Sequence, residues 1–161
     1  MRAGEKIIVG LMLVSVIGLV YYRASNTNEA GEDKGIPFFS TANQQVTDAA
    51  TRVIHRESCR DCHSLWATRD FSANVPAPAL DGMGRFRDEA WLYDYFSSAD
   101  PQSMQPSRLK EVYRMPSYAH LPEQERRVLA QYIASLSVED WYFEDARRAR
   151  HEKLTGQKLE P

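Results

Sequence analysis

Five consecutive residues, Cys59, Arg60, Asp61, Cys62 and His63, set two thiols three positions apart with an imidazole directly after the second. This is Cys-Xaa-Xaa-Cys-His, the spacing by which a c-type haem is attached. Thiols so placed reach the two vinyl groups of one porphyrin as thioethers, and the imidazole that follows swings beneath the macrocycle to ligate iron. The motif therefore predicts one covalently bound cofactor, haem c, held by Cys59 and Cys62, with His63 as an axial ligand. Other chemistries at this spacing lack the rest of their pattern. A redox dithiol of this form opens a helix within a βαβ unit, and no strand-rich alternation surrounds this one. Structural zinc needs four ligands, whereas the remaining histidines, His55, His120 and His151, offer no second paired spacing. A bare Cys59–Cys62 disulfide would close a loop too short to stabilise much.

The opposite face of the iron needs its own ligand. Methionine thioether, paired with histidine, favours the reduced metal. Of the five methionines, Met1 and Met12 lie in the N-terminal segment, which leaves Met83, Met104 and Met115. Met115 precedes Pro116 in an irregular stretch from Tyr113 to His120, and about fifty residues separate it from the motif, enough to wrap round a haem edge. It is the expected sixth ligand. Met104, in a similar Pro-rich loop, is the alternative, and His120 stands third, because a histidine this close to a helix start serves more often at the surface or in a cap. His55 lies a few residues before the motif and is held on the attachment side, away from the open face.

Helices must position these groups. Val46, Ala50, Val53 and Ile54 predict one from Asn43 or Thr47 to Glu57, delivering the chain into Cys59. A loop from Ser64 to Val75 carries Trp66 and Phe71, and the prolines and glycines of Pro76 to Gly84 exclude a regular element there. Asp88 caps a helix from Glu89 to Ser97 whose expected buried face is Trp91, Leu92, Tyr95 and Phe96. The last helix runs from Pro122, at its first position, to Leu136. Glu123 and Glu125 sit in its first turn, and Val128, Leu129, Tyr132, Ile133 and Leu136 form a stripe that must be buried. The helix before Cys59 is the natural partner for that stripe.

The chain is 161 residues long, one domain with something to spare at each end. A net charge of −2 gives no reason to expect nucleic acid, and with both cysteines in one motif no disulfide framework exists. Arg2 and Lys6, against Glu5, precede a run from Ile7 to Tyr22 that is apolar apart from Ser15, Gly10 and Gly18. As a helix that run rises about 24 Å against a ~30 Å hydrocarbon core. The exit Val20-Tyr21-Tyr22-Arg23 lacks the small residues of a cleavage site, and paired tyrosines suit a membrane interface. Residues 1–22 are therefore expected to be an uncleaved anchor with a cytoplasmic N-terminus. The haem motif would then face the periplasm of a bacterial inner membrane, where c-type attachment takes place. Gly10, Val14 and Gly18 line one helical face that could meet another membrane helix. Residues 23–42 read as a polar linker, although Ile36, Pro37, Phe38 and Phe39 are more apolar than a tether needs and suit docking on the domain or on a partner. The haem domain is expected over 43–137 and an extension over 138–161. In that extension Trp141, Tyr142 and Phe143 lead into Arg147, Arg148, Arg150, His151 and Lys153. It is either a solvated helix packing its aromatics on its own domain or a docking element for a larger complex or the membrane surface.

From about Val46 to Leu136 the chain resembles the class I monohaem cytochromes c. The resemblance is carried by Cys59-Arg60-Asp61-Cys62-His63, by Pro78-Ala79-Leu80 with Gly82, Gly84 and Arg85 after it, by the Trp91 helix, by Met115-Pro116-Ser117-Tyr118, and by Tyr132-Ile133-Ala134-Ser135-Leu136. It implies an all-α, cytochrome c-like haem domain, here preceded by one transmembrane helix. His63 and Met115 would be the axial ligands, the Pro78 carbonyl would accept the proton on the other nitrogen of His63, and Arg85 and Trp91 would meet the haem propionates. The chain departs from the family where a glycine and an aromatic of the first helix become Ala50 or Thr51 and Ile54 or His55. Its Ser98 to Arg114 loop is also longer and more polar. The implied role is a one-electron carrier without catalysis of its own, working with redox protein partners such as a quinol-oxidising complex or a terminal oxidase. Two other roles fit the same motif: a haem-based gas sensor in which Met115 is displaced, and a mainly structural cytochrome subunit.

Overall fold

The computed structural model describes residues 3–26, 34–69 and 75–159, with side chains in the first helix described at residues 4 and 8–23. The chain divides into two units, residues 1–36 and 37–161. The first holds α1, Ala3–Asn26, of 24 residues. Its described side chains are exposed throughout, from Ile8 to Arg23, and Ser15 returns its hydroxyl to the Leu11 carbonyl at 2.9 Å. No helix among the described residues is long and apolar enough to cross a membrane. The described apolar stretch, Ile8 to Tyr22, rises only about 22 Å, less than a ~30 Å hydrocarbon core, so the expected transmembrane helix is not met on these residues. The helix also continues past Tyr22 into residues assigned to the linker.

The second unit is built on α2, Gln44–Arg56, α3, Glu89–Ser97, and α5, Glu123–Ser135. Each begins where an acceptor or a proline makes starting cheap. The Asn43 side chain accepts the Val46 N–H at 3.0 Å and the Asp88 side chain the Trp91 N–H at 2.8 Å, satisfying amides that lack intrahelical partners. Pro122 is the cap of α5 rather than its first residue, because its ψ of 143° is extended. Ala50, Val53 and Ile54 of α2 and Leu129, Ala130, Tyr132 and Ile133 of α5 are buried in one cluster with Leu92 and Phe96 of α3. Ala50 and Ala130 have no exposed surface, and small side chains there suit the close packing of α2 and α5 in this cluster. At the solvent end Arg56 forks onto Glu125, at 3.1 and 2.5 Å, tying α2 to α5. The expected buried face of α3 is split. Leu92 and Phe96 enter the core, while Trp91 and Tyr95 are half-buried and stack on each other at 5.1 Å.

The linker and the end of the last helix differ from expectation. Phe38–Ser40 forms β1 and pairs antiparallel with β2, Leu136–Val138, in the register Phe38 to Val138 and Ser40 to Leu136. Ser40 and Ser135 hydroxyls meet at 2.7 Å, and the Glu139 N–H reaches the Pro37 carbonyl at 2.8 Å. Residues 37–42 of the linker thus belong to the compact unit, as the apolar Phe38 suited, and Leu136 opens a strand instead of closing a helix. The extension is α6, Asp140–Thr155. Tyr142 meets Phe38 edge to face at 5.3 Å, and Phe143 meets Phe86 at 5.8 Å. A short helix, α4, Pro101–Met104, and a 3-10 turn, Glu111–Tyr113, interrupt the long loop before Met115.

The Pro- and Gly-rich stretch does contain one 3-10 turn, Met83–Arg85, which Gly82 enters at φ 76°. Gly84 lies flat against the end of α5. A Cβ there would overlap the Ala134 carbonyl oxygen and stand 3.0 Å from that of Leu136. Gly84→Ala should therefore cost about 2–3 kcal/mol, since neither carbonyl can move without breaking the helix end or the strand. Gly156→Ala, at φ 72° with open space around it, should cost only about 1 kcal/mol of backbone strain. Urea unfolding of the two variants checks the ranking, and equal costs would remove the close approach as the reason for Gly84.

Candidate cofactor-attachment site

The chain leaves α2 through Ser58, whose left-handed backbone, φ 53°, turns it into a 3-10 turn at Cys59–Asp61. The N–H groups of Cys62 and His63 both reach the Cys59 carbonyl, at 3.3 and 3.0 Å. Winding around one carbonyl fixes the spacing of the two thiols and the imidazole. Both cysteines are free and half-buried. Burial pushes the Cys59 thiol up to about 11, opposed by the Tyr118 hydroxyl against it, and burial likewise raises Tyr118.

His63 is set by its partner. Its Nδ1 lies 2.7 Å from the Pro78 carbonyl oxygen. A carbonyl only accepts, so Nδ1 carries the proton and the Nε2 lone pair is left for a metal. Burial, partly offset by Pro78, lowers the pKa of the ring and favours this neutral form. The same two stretches of chain meet again and again. The Leu80 N–H donates to Ser64 O at 2.9 Å, and the N–H groups of Trp66 and Ala67 donate to the two Asp81 carboxylate oxygens at 2.6 and 3.1 Å. Residues 63–67 are in this way stitched to 78–81. Phe71 lies outside the described residues.

Met115 is half-buried and packs against the cluster that Cys59 also joins. Its carbonyl accepts from Gln102 Nε2 at 3.4 Å, and Ser117 Oγ donates to Ser98 O at 2.7 Å, which holds the loop. Tyr118, three residues on, reaches from this loop to Cys59. Met83 also packs on the cluster, whereas Met104, half-buried on α4, does not join it. His120 is exposed, with Nε2 3.8 Å from Glu57 Oε2, and His55 is exposed on α2.

Arg85 and Trp91, expected at the haem propionates, have protein partners in the compact unit. Arg85 pairs with Asp140, donates to the Val138 carbonyl at 3.0 Å and lies over the Phe143 ring at 4.9 Å. All three partners come from beyond Leu136, where the resemblance ends. Trp91 stacks on Tyr95 and has the Arg87 guanidinium over its ring at 4.5 Å. Asp81 is the residue that sequence reading missed. Its only signal was a carboxylate in a loop, able to cap backbone amides.

Two free thiols and an imidazole whose Nδ1 is committed to Pro78 fit covalent haem. Among the described residues no three His, Cys, Asp or Glu side chains converge to hold a metal ion on their own. Comparison with protein-family models, with curated proteins and with solved structures gave no match to this chain.

The raised Cys59 thiol makes a direct prediction for cofactor-free chain carrying Cys62→Ser. Iodoacetamide should modify Cys59 about tenfold faster per pH unit through pH 10, because only the thiolate reacts, with half-saturation near about 11. Tyr118→Phe, which removes a donor to the thiolate, should push that midpoint higher. A midpoint in the ordinary thiol range would mean that Cys59 is not buried as described.

Proposed function

We propose that this chain is a membrane-anchored c-type cytochrome that passes single electrons between redox proteins. The observation that carries the reading is the His63 Nδ1 contact with the Pro78 carbonyl at 2.7 Å, beside two free thiols at the attachment spacing. Bound haem c supplies one-electron chemistry at its iron. Cys59 and Cys62 would hold it as thioethers, and His63 Nε2 and the Met115 sulfur would ligate its iron. Pro78 holds the Nδ1 proton throughout, which fixes both tautomer and ring plane. Of the methionines weighed for the sixth position, Met115 is favoured over Met104 because it packs against the same cluster as Cys59. Haem held by ligands on packed backbone would need little rearrangement on one-electron transfer. The chain then needs no substrate site and is a carrier rather than an enzyme.

The same reading makes α1 a single-pass anchor in a bacterial inner membrane, with the haem domain on the periplasmic side. Support comes from the exposed apolar side chains from Ile8 to Val20 and from Tyr21 and Tyr22, 76% and 66% exposed, at their end. Arg2 and Lys6 precede the apolar run and Arg23 follows it. A stretch shorter than the hydrocarbon core is accommodated by local thinning of the bilayer and by snorkelling of such flanking residues. Partners would be membrane-associated redox proteins such as a quinol-oxidising complex or a terminal oxidase.

Absorption spectra of the oxidised and reduced protein test the ligand set. The weak far-red band of sulfur-ligated ferric haem should be present in wild type, lost in Met115→Ala and kept in Met104→Ala. A wild-type protein without that band, or a ferrous form that takes up carbon monoxide readily, would overturn the carrier reading in favour of a sensor.

A further inference from the structure

The turn that follows His63 is built against backbone preference. Trp66 and Ala67 are both left-handed, at φ 56° and 54°, and Leu65 and Thr68 close around them through mutual backbone bonds of 2.9 and 3.2 Å. Two successive left-handed residues make the tight turn that Asn-Gly or Gly-Gly forms without strain. Here the central positions hold a tryptophan and an alanine, each with a Cβ that opposes the conformation. Such a pair persists only where the surroundings over-determine it, and strain of this kind gathers at functional positions.

One carboxylate over-determines it. Asp81 takes the Trp66 N–H on one oxygen at 2.6 Å and the Ala67 N–H on the other at 3.1 Å. Around it, Arg60 Nη2 donates to Thr68 Oγ1 at 2.7 Å, and the Trp66 indole meets the hydroxyl of buried Tyr132. Asp81 lies three residues after Pro78, and the turn begins two residues after His63. The carboxylate that holds the turn and the carbonyl that takes the His63 proton at 2.7 Å are thus on one short segment. Their donors are on another, and the Leu80 to Ser64 bond lies between the two contacts.

We propose that Asp81 is a positioning residue for His63, a role that rests on the haem reading of the site. By holding the strained turn shut, its carboxylate keeps Ser64 against Leu80 and His63 Nδ1 on Pro78. Without it the two amides lose their acceptors, and the turn relaxes towards ordinary backbone angles. That draws the His63 end of the segment away from Pro78. A weaker Nδ1–H bond makes the imidazole a poorer donor to iron, which favours the reduced state and raises the potential.

The test compares wild type with Asp81→Ala, Asp81→Asn, Ala67→Gly and the Asp81→Ala/Ala67→Gly double variant. Hydrogen exchange of the Trp66 and Ala67 amides and of the His63 Nδ1 proton is followed by NMR, and the midpoint potential by redox titration. Asp81→Ala should speed exchange of the His63 proton at least tenfold and raise the potential. Asp81→Asn, which keeps one acceptor oxygen, should fall between, and it serves should Asp81→Ala not fold. Glycine adopts the left-handed conformation freely, so the double variant should return both readings towards wild type. Faster exchange of the turn amides with the His63 proton and the potential unmoved would reduce Asp81 to a structural cap and overturn the proposal. Failure of the haem reading is separable. Wild type would then carry no covalent haem, and exchange at the His63 ring of that cofactor-free chain decides the clamp by itself.

Discussion

A histidine whose Nδ1–H donates to a fixed acceptor is held in one tautomer and one ring plane, and for His63 that acceptor is the Pro78 carbonyl oxygen, 2.7 Å away. Proline suits the position because its ring fixes φ and because it has no N–H to place. The carbonyl can therefore be aimed by the residues that follow. Leu80 is buried in the core, Gly82 turns the chain at φ 76°, and Gly84 lies on the carbonyls that end α5. A bond of one hydrogen atom is located by contacts that run from the loop to the central helix.

Tyr132 is where the fold and the site meet. It is 1% exposed, on the face of α5 that packs with α2 and α3, and its hydroxyl touches the Trp66 indole. Burial raises its pKa, so the phenol stays protonated and neutral in the core. Helix α5 thus supports both sides of the stitched pair, Trp66 through a side chain and Gly84 through its last carbonyls. Shifting α5 would move both segments that orient His63.

What the sequence made legible was local. The motif 59–63, the cap Asp88 and the stripe from Leu129 to Ile133 are set by neighbours within a turn or two, where spacing alone decides. What it hid was non-local. Ser40 meets Ser135 across 95 positions, and Arg85 meets Asp140 across 55, so no periodicity could announce a three-residue ladder or the pairing of Arg85 with the extension. The turn at Trp66 and Ala67 was hidden for another reason. Its residues carry the opposite of a left-handed turn signal, and only the distant carboxylate of Asp81 makes that conformation tenable.

The ladder also bears on the extension. Because Pro37 accepts from Glu139 and Phe38 pairs with Val138, the chain enters the compact unit beside the first residue of α6. The helix then uses its opening turn on that same unit, Tyr142 on Phe38 and Phe143 on Phe86, with Asp140 on Arg85. Further along, Arg147 pairs with Glu144 and Arg148 with Asp145. Aromatic residues committed to their own domain, and arginines neutralised within their own helix, are what a packed and solvated helix requires. A docking helix would instead leave its aromatics free for the partner. The balance between the two roles set out for this extension accordingly moves to the packed helix.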